Sequence, residues 1–342
     1  MTPMIYGAYG FTGRLIAEEA VRRGLRPVLA GRDADKLAAL ADRLGLPHRA
    51  VALDDPAGLR AALEGCGAVI HAAGPFADTS APMADACIAT RTHYLDITGE
   101  PGVFAALRAL GPRAEAAGVA LLPGCGFDVV PTDGLAAMVA RRCRGAQRLT
   151  LAFAGIDTPS RGTLRTAARN LDASALVRRA GRIERRRGGL SATLDFGDGP
   201  TRVVATTWGD LETAWDSTGI PDIEVFMAPA PGTAALFRLP GPLRRLVARA
   251  ALSERGLARR PEGPDARTRR TARARVYARA EGPGGVAEQR LEVCEPYAFT
   301  ARSAVEIACR VVAGAARPGY RTPSQAFGEG LVLDIAGTRL LE

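Results

Sequence analysis

The chain has 342 residues, 47% hydrophobic and 24% charged, so it is long enough for two domains with a buried core, and its composition excludes a disordered or fibrous protein. Its net charge of +9 rests almost wholly on arginine, and basic clusters such as Arg141-Arg142 and Arg185-Arg186-Arg187 lack interleaved aromatics and any nucleic-acid motif, which points to a solvated face and not to a nucleic-acid partner. No apolar run reaches bilayer length, the first residues already read as a strand, and six scattered cysteines form no CxxC pair, so the expectation is a cytoplasmic protein with no signal peptide, no integral membrane segment and no structural metal.

In chain order, Met4-Ile5-Tyr6 is a short apolar strand, followed at once by Gly7, Gly10 and Gly13 and then by apolar residues at helical spacing from Arg14 to Val21. A strand, a glycine turn and a helix in that order suit a dinucleotide pyrophosphate. The first glycine permits the tight turn, the second lets the backbone approach the phosphates, and the third lets the helix pack close to the strand. Exposed N–H groups and the helix dipole favour the negative charge. Gly7, Tyr9, Gly10, Phe11, Thr12 and Gly13 are the candidate cofactor contacts here; the bland alternative is a turn and nothing more.

A second strand, 26–30, ends in Gly31-Arg32-Asp33. An enzyme selective for NAD places a carboxylate at this point for the ribose 2′-hydroxyl, whereas the guanidinium of Arg32 suits the 2′-phosphate of NADP. Asp33 reads as the N-cap of a helix over 34–44, and Lys36 on its first turn is a second candidate phosphate contact. Arg32 could instead only cap the turn. A third strand, 47–51, leads to Asp54, placed where adenine rests. A helix over 57–63 leads to a strand, 68–72, that ends in Ala73-Gly74-Pro75-Phe76. Small residues there let a dinucleotide lie close, and Phe76 offers an apolar wall for the nicotinamide.

A helix over 82–90, a strand over 93–97, a helix over 103–117 and a strand over 119–122 follow, the last ending in Pro123-Gly124-Cys125-Gly126-Phe127-Asp128. Strands alternating with helices specify a doubly wound parallel sheet, whose ligands sit at the carboxyl ends of the strands.

The strings YGAYGFTG, AGRDADKL, AAGPF, HYLDITGE and GCGFDVVPTDGLA together resemble the NADP-binding half of the saccharopine dehydrogenase-like proteins, in particular the bacterial branch of trans-acting enoyl reductases. The stretch GYRTPSQAFGEGLVLDI, 319–335, is similar to the closing segment of that branch. The resemblance implies a Rossmann-type domain, a second mixed α+β domain that covers the nicotinamide, NADPH as cofactor, and reduction of a C=C or C=N bond. The chain departs from the pattern at His71, where a small or amide residue is expected.

Beyond residue 148 the period changes. Strands are expected at 149–153, 193–196, 201–206, 222–227, 271–280 and 286–294, and helices from Ser160 to about residue 181 and over 301–313. An amphipathic helix is expected around Leu243, Leu246, Val247, Ala250 and Ala251. The organisation expected is an NADP-binding domain over 1–145 and an α+β substrate and oligomerisation domain over 146–342, with the last ~25 residues able to pack back on the first domain.

Several chemistries are absent from the sequence. No tyrosine has a lysine four residues on, and there is no GxSxG elbow, no phosphate loop ending in GK and no histidine cluster for zinc. Hydride transfer is the cofactor's own chemistry, so the protein must supply a proton donor or a polarising group. Asp128, Tyr94 and Glu100 are the catalytic candidates, Asp128 foremost, with turn and cap hydrogen bonding the alternative role for Glu100 and for Asp96. The expected function is an NADPH-dependent oxidoreductase acting on a small-molecule or carrier-bound acyl substrate, as a homodimer by default. A non-catalytic NADP(H) sensor or scaffold is the alternative.

Overall fold

The computed structural model describes residues 2–169, 175–186, 191–230, 247, 250 and 252–342. Its first half alternates strand and helix: β1 (Thr2–Tyr6), α1 (Phe11–Arg22), β2 (Val28–Gly31), α2 (Ala34–Leu44), β3 (His48–Ala50), α3 (Pro56–Leu63), β4 (Cys66–His71), α4 (Phe76–Thr90), β5 (His93–Asp96), α5 (Pro101–Ala116), β6 (Ala120–Leu122) and α6 (Val130–Arg142). All six strands pair in parallel, in the order β6-β5-β4-β1-β2-β3. The order therefore reverses between β1 and β4, which opens a crevice at their carboxyl ends. Every residue of β4 is buried, as a strand covered by helices on both faces must be.

The second half begins with β7 (Arg148–Ala154) and α7 (Arg161–Arg169), then β8 (Leu176–Arg179), β9 (Arg182–Arg185), β10 (Ser191–Asp195), β11 (Pro200–Ala205), α8 (Asp210–Thr218) and β12 (Asp222–Met227). It continues with α9 (Glu254–Ala258), α10 (Ala266–Thr271), β13 (Arg273–Gly282), β14 (Gly285–Cys294), α11 (Pro296–Val312), β15 (Gly319–Tyr320), α12 (Pro323–Phe327), a 3-10 turn over Glu329–Asp334 and β16 (Arg339–Leu341). The mixed sheet runs β10-β11-β12-β7-β13-β14-β16, with β8 and β9 attached at β12; β12 and β7 are parallel and the other pairs antiparallel. β15 instead joins β6, in parallel, as the edge of the first sheet.

One hydrophobic cluster runs through both halves, from Ile5, Leu29 and Ile70 to Leu149, Val276 and Leu291, with Phe299 and Val305 of α11 between them. Helix α11 lies beside α1, where the Arg23 guanidinium bonds Glu306 at 2.8 Å and the Arg302 carbonyl at 3.2 Å. The doubly wound sheet with a second mixed α+β sheet is thus the architecture, as the alternating pattern predicts.

Three expectations differ from what is found. Residues 176–179 and 182–185 are a β-hairpin and not the end of a helix, because Ala180 and Gly181 both take positive φ and turn the chain. Helix α4 starts at Phe76, six residues before Pro82, which sits inside it. Helix α11 starts at Pro296 and not near 301, because the Glu295 carboxylate caps it by accepting from the N–H of Tyr297 and Ala298 at 3.0 and 2.9 Å. The amphipathic helix expected around 243–251 lies outside the described residues, apart from 247 and 250. Among the described residues no helix is long and apolar enough to cross a membrane.

Candidate active site

The turn after β1 is a cradle that only glycine builds. Gly7 has φ +81°, and a Cβ there would lie 2.8 Å from the Ala73 Cβ and 2.9 Å from the Ala73 nitrogen. A Cβ on Gly13 would lie 2.2 Å from the Gly7 carbonyl oxygen, so α1 rests directly on the turn. The Gly10 N–H donates to that same carbonyl at 3.0 Å. The N–H groups of Phe11, Thr12 and Gly13 open α1 and have no acceptor within the helix, no side chain caps them, and the first turn carries no acid. Three free donors at the positive end of a helix, over a floor without side chains, fit a pyrophosphate.

At the end of β2, Asp33 caps α2 by accepting from the Lys36 N–H at 3.1 Å. The Lys36 Nζ also bonds the Asp33 carboxylate at 2.7 Å and stands 5.7 Å above the Tyr9 ring, which itself covers Gly31. Arg32 is exposed and makes no hydrogen bond or ion pair among the described residues. Of the two cations, Lys36 is engaged and Arg32 is free. Asp54 is exposed beyond β3, and the neighbouring Val51 carbonyl accepts from the Tyr6 hydroxyl at 3.0 Å.

The loop Ala73-Gly74-Pro75-Phe76 leaves β4 through a cis Gly74–Pro75 bond. The Thr79 hydroxyl holds it, lying 2.8 Å from the Ala73 carbonyl and 3.0 Å from that of Pro75. With its proton committed there, Thr79 accepts from the His71 Nε2–H at 3.0 Å. His71 is fully buried, and burial pushes its pKa down to about 3, so the ring is neutral. Glu100 reaches the same loop: its two carboxylate oxygens accept from the N–H of Phe76 and of Ala77, each at 3.0 Å, and so cap α4.

Tyr94 sits inside β5, fully buried, and donates to Asp96 at 2.7 Å. Asp96 also accepts from the N–H of Thr98 at 3.0 Å and of Gly124 at 2.8 Å, which ties the loops after β5 and β6 together. Burial pushes the Asp96 carboxyl up to about 6 against these hydrogen bonds. Tyr94 therefore meets the strand ends only through Asp96.

Asp128 is different. Its carboxylate packs on Gly99, where a Cβ would lie 2.7 Å from Oδ2, and it makes no hydrogen bond or ion pair among the described residues. It is partly exposed. Loss of hydration, and secondarily the nearby Glu100 charge, push it up to about 7. Its backbone carbonyl accepts from the Trp208 indole N–H at 2.7 Å. Glu100, Gly99 and Asp128 thus meet at the strand ends beside the Phe76 loop.

The second half adds residues that the sequence reading missed. Tyr297 meets Phe11 of the glycine turn edge to face at 5.2 Å. Its hydroxyl accepts from the Ser160 N–H at 2.6 Å and shares a 2.9 Å hydrogen bond with Thr163. Glu262 pairs with Arg14, Gly263 packs on the Phe11 ring, and the Arg269 guanidinium lies 5.8 Å over that ring. These residues roof the glycine turn. The Glu295-Pro296 pair, a cap followed by a helix-starting proline, is the signal that would have placed Tyr297 at a helix N-terminus.

Comparison with known proteins agrees with this geometry. Residues 4–122 match the family model of the saccharopine dehydrogenase NADP binding domain. A Mycobacterium tuberculosis protein named trans-acting enoyl reductase is 33% identical over 140 residues, a match that covers 38% of this chain and 33% of the relative. An Arabidopsis thaliana protein named probable mitochondrial saccharopine dehydrogenase-like oxidoreductase is 32% identical over 147 residues, covering 38% and 32%. The chain spans about a third of the length of the curated relatives it matches. By fold it is similar to an apo, histidine-tagged saccharopine dehydrogenase (L-Glu forming) from Saccharomyces cerevisiae, with a TM-score of 0.65 over 100% of both chains at 14% identity. The resemblance carried by the sequence motifs is found again in these comparisons, and the matched domain is of a kind that takes a nicotinamide dinucleotide.

Proposed function

We propose that the chain is an NADPH-dependent reductase of a C=C or C=N bond, with Asp128 as its proton donor. The observation that carries the proposal is the placing of a free carboxyl, pushed up to about 7, at the same strand ends as a glycine cradle with free N–H donors. Gly7, Gly10, Phe11, Thr12 and Gly13 would hold the pyrophosphate, with Tyr9 and Gly31 beside it. Arg32 would bind the 2′-phosphate and Lys36 would assist after leaving Asp33. Ala73, Gly74, Pro75 and Phe76 would face the nicotinamide, and Asp54 the adenine.

NADPH, when bound, supplies a hydride to one atom of the double bond. Asp128 holds the proton that the other atom needs, because at pH 7 about half of such carboxyls are protonated. Glu100 keeps the Phe76 loop in place and, as a like charge, keeps the Asp128 proton on. The names of the mycobacterial and plant relatives favour an α,β-unsaturated acyl substrate and an amino-acid-derived imine respectively. A homodimer is part of the same reading.

A second reading, an NADP(H) sensor or scaffold without turnover, draws on Tyr94 and Glu100, both held in structural hydrogen bonds. The experiment that separates the two begins with fluorescence titration of the protein with NADPH and NADH. NADPH oxidation is then followed against a panel of α,β-unsaturated thioesters and cyclic imines. Tight NADPH binding with no oxidation on any substrate favours the sensor. Binding of neither dinucleotide overturns both.

A further inference from the structure

One cavity stands apart from the cradle. It has a volume of about 210 Å³ and lies at the outer edge of the parallel sheet, between α5 and β15. Three strand spacings, ~15 Å, separate β15 from β4. Its lining is partly apolar, from Pro112, Pro318 and Tyr320, and partly charged, from Arg108, Glu115 and Arg321.

The three charges are not equivalent. Arg108 is committed: it pairs with Glu212 at 2.8 Å and with Asp216 at 2.6 Å, and Asp216 also accepts from the Tyr320 hydroxyl at 2.9 Å. Arg321 and Glu115 are not. Neither side chain makes an ion pair or hydrogen bond among the described residues, although both line the same small cavity. The Arg321 Nε is shut off from solvent with no acceptor, a costly arrangement for a guanidinium N–H. Gly319 lines the cavity beside Glu115, with an added Cβ 3.9 Å from that carboxylate, so a side chain there would narrow the space.

A cavity that holds opposite charges apart, over an apolar wall, selects its ligand by exclusion. A simple anion would be repelled by Glu115, and a simple cation by Arg321. We propose that the cavity binds a free α-amino acid, its carboxylate on Arg321, its ammonium on Glu115 and its side chain against Tyr320 and Pro112. Such a ligand supplies the missing acceptor to Arg321 and neutralises both charges at once. The site is separate from the reductase reading and stands or falls without it.

The test uses the full chain with the twenty common L-amino acids, added singly at millimolar concentration while thermal unfolding is followed. The amino acid that raises the unfolding temperature is then titrated by calorimetry, together with its N-acetyl and carboxamide derivatives. The expected result is at least ~10-fold weaker binding of each derivative, and a similar loss in Arg321→Gln for the carboxylate and in Glu115→Gln for the ammonium. The derivatives need no variant, so the result survives if one substitution fails to fold. Binding that is unchanged in Gly10→Ala and in Asp128→Asn assigns it to this edge and not to the cleft. The proposal is overturned if none of the twenty shifts unfolding, if the derivatives bind as well as the parent, or if both cavity variants bind as the wild type does.

Discussion

Asp210 and Thr132 share a 2.7 Å hydrogen bond, with both side chains buried and the Thr132 hydroxyl donating to the Asp210 Oδ1. The Thr132 hydroxyl also lies 3.0 Å from the Val129 carbonyl, which already accepts from the Asp133 N–H at 2.8 Å. The same Asp210 oxygen also takes the Thr213 hydroxyl, at 3.4 Å. The other Asp210 oxygen has no partner, an arrangement far less costly for a neutral carboxyl than for a buried anion. Burial, with the nearby Asp133 and Asp128 adding to it, raises its pKa well above the ordinary carboxylate range.

Asp210→Asn is therefore expected to fold with a loss under ~1 kcal/mol, because the amide oxygen still accepts from Thr132 and the side chain stays neutral, whereas Asp210→Ala is expected to cost ~1–3 kcal/mol. The pH dependence has a definite sign. The folded state keeps a proton that the unfolded state releases near pH 4, so stability falls as pH rises above that value. Urea unfolding over a pH series checks this: the slope above about pH 4 should be shallower in Asp210→Asn than in the wild type.

Arg32→Ala is expected to weaken NADPH binding by ~10- to 100-fold, the worth of a charge-assisted hydrogen bond, and to leave NADH binding unchanged. Lys36→Ala should have a smaller effect, because Lys36 must first leave Asp33. Paired fluorescence titrations read both. Equal loss for the two dinucleotides would remove Arg32 from the phosphate site.

Gly10→Ala separates the cradle from the fold. Its added Cβ would lie 3.2 Å from the Gly7 carbonyl, a contact relieved by a small shift, so unfolding stability should change by less than ~1 kcal/mol. Affinity for either dinucleotide should fall ~10-fold or more, because the methyl group occupies the pyrophosphate's approach. Gly7→Ala, at φ +81° and against Ala73, should instead lose ~1–3 kcal/mol of stability as well.

With an Asp128 carboxyl near 7, the turnover of a reductive reaction should decline as pH rises through about 7. Asp128→Asn should lower turnover, flatten that limb and leave the NADPH dissociation constant alone. Glu100→Gln removes a like charge, so the limb should move to lower pH; it should also cost ~0.5–2 kcal/mol as the α4 cap weakens. An unchanged limb in Glu100→Gln would break the proposed coupling between the two carboxyls.

What the sequence made legible was local. Helix α2 was bounded correctly at Ala34 and Leu44 because both ends carry their own chemistry: Asp33 as cap, and Gly45 in the left-handed conformation. Strand β12 was found at Asp222–Met227 for a similar reason, a run of β-branched and aromatic residues between turns. What escaped was set at long range. The start of α4 is capped by Glu100, 24 residues on, and no local pattern announces it. Helix α8 was missed because its apolar residues are few and its N-cap, Gly209, lends no side chain. Tyr297 reaches Phe11 only after the two halves pack together. His71, which departs from the family's pattern, turns out to anchor the loop after β4 through Thr79, a role that no spacing rule could supply.

The return of β15 to the first sheet has a consequence during synthesis. Leu121 of β6 pairs with Tyr320, so at ~5–20 residues per second on the ribosome the partner emerges roughly 10–40 s after β6 itself. For that interval β6 is a bare strand edge, open to pairing with a neighbouring nascent chain. A cell making this protein slowly would prolong that hazard, and faster elongation to residue 320 or a chaperone acting before it appears should raise the folded yield.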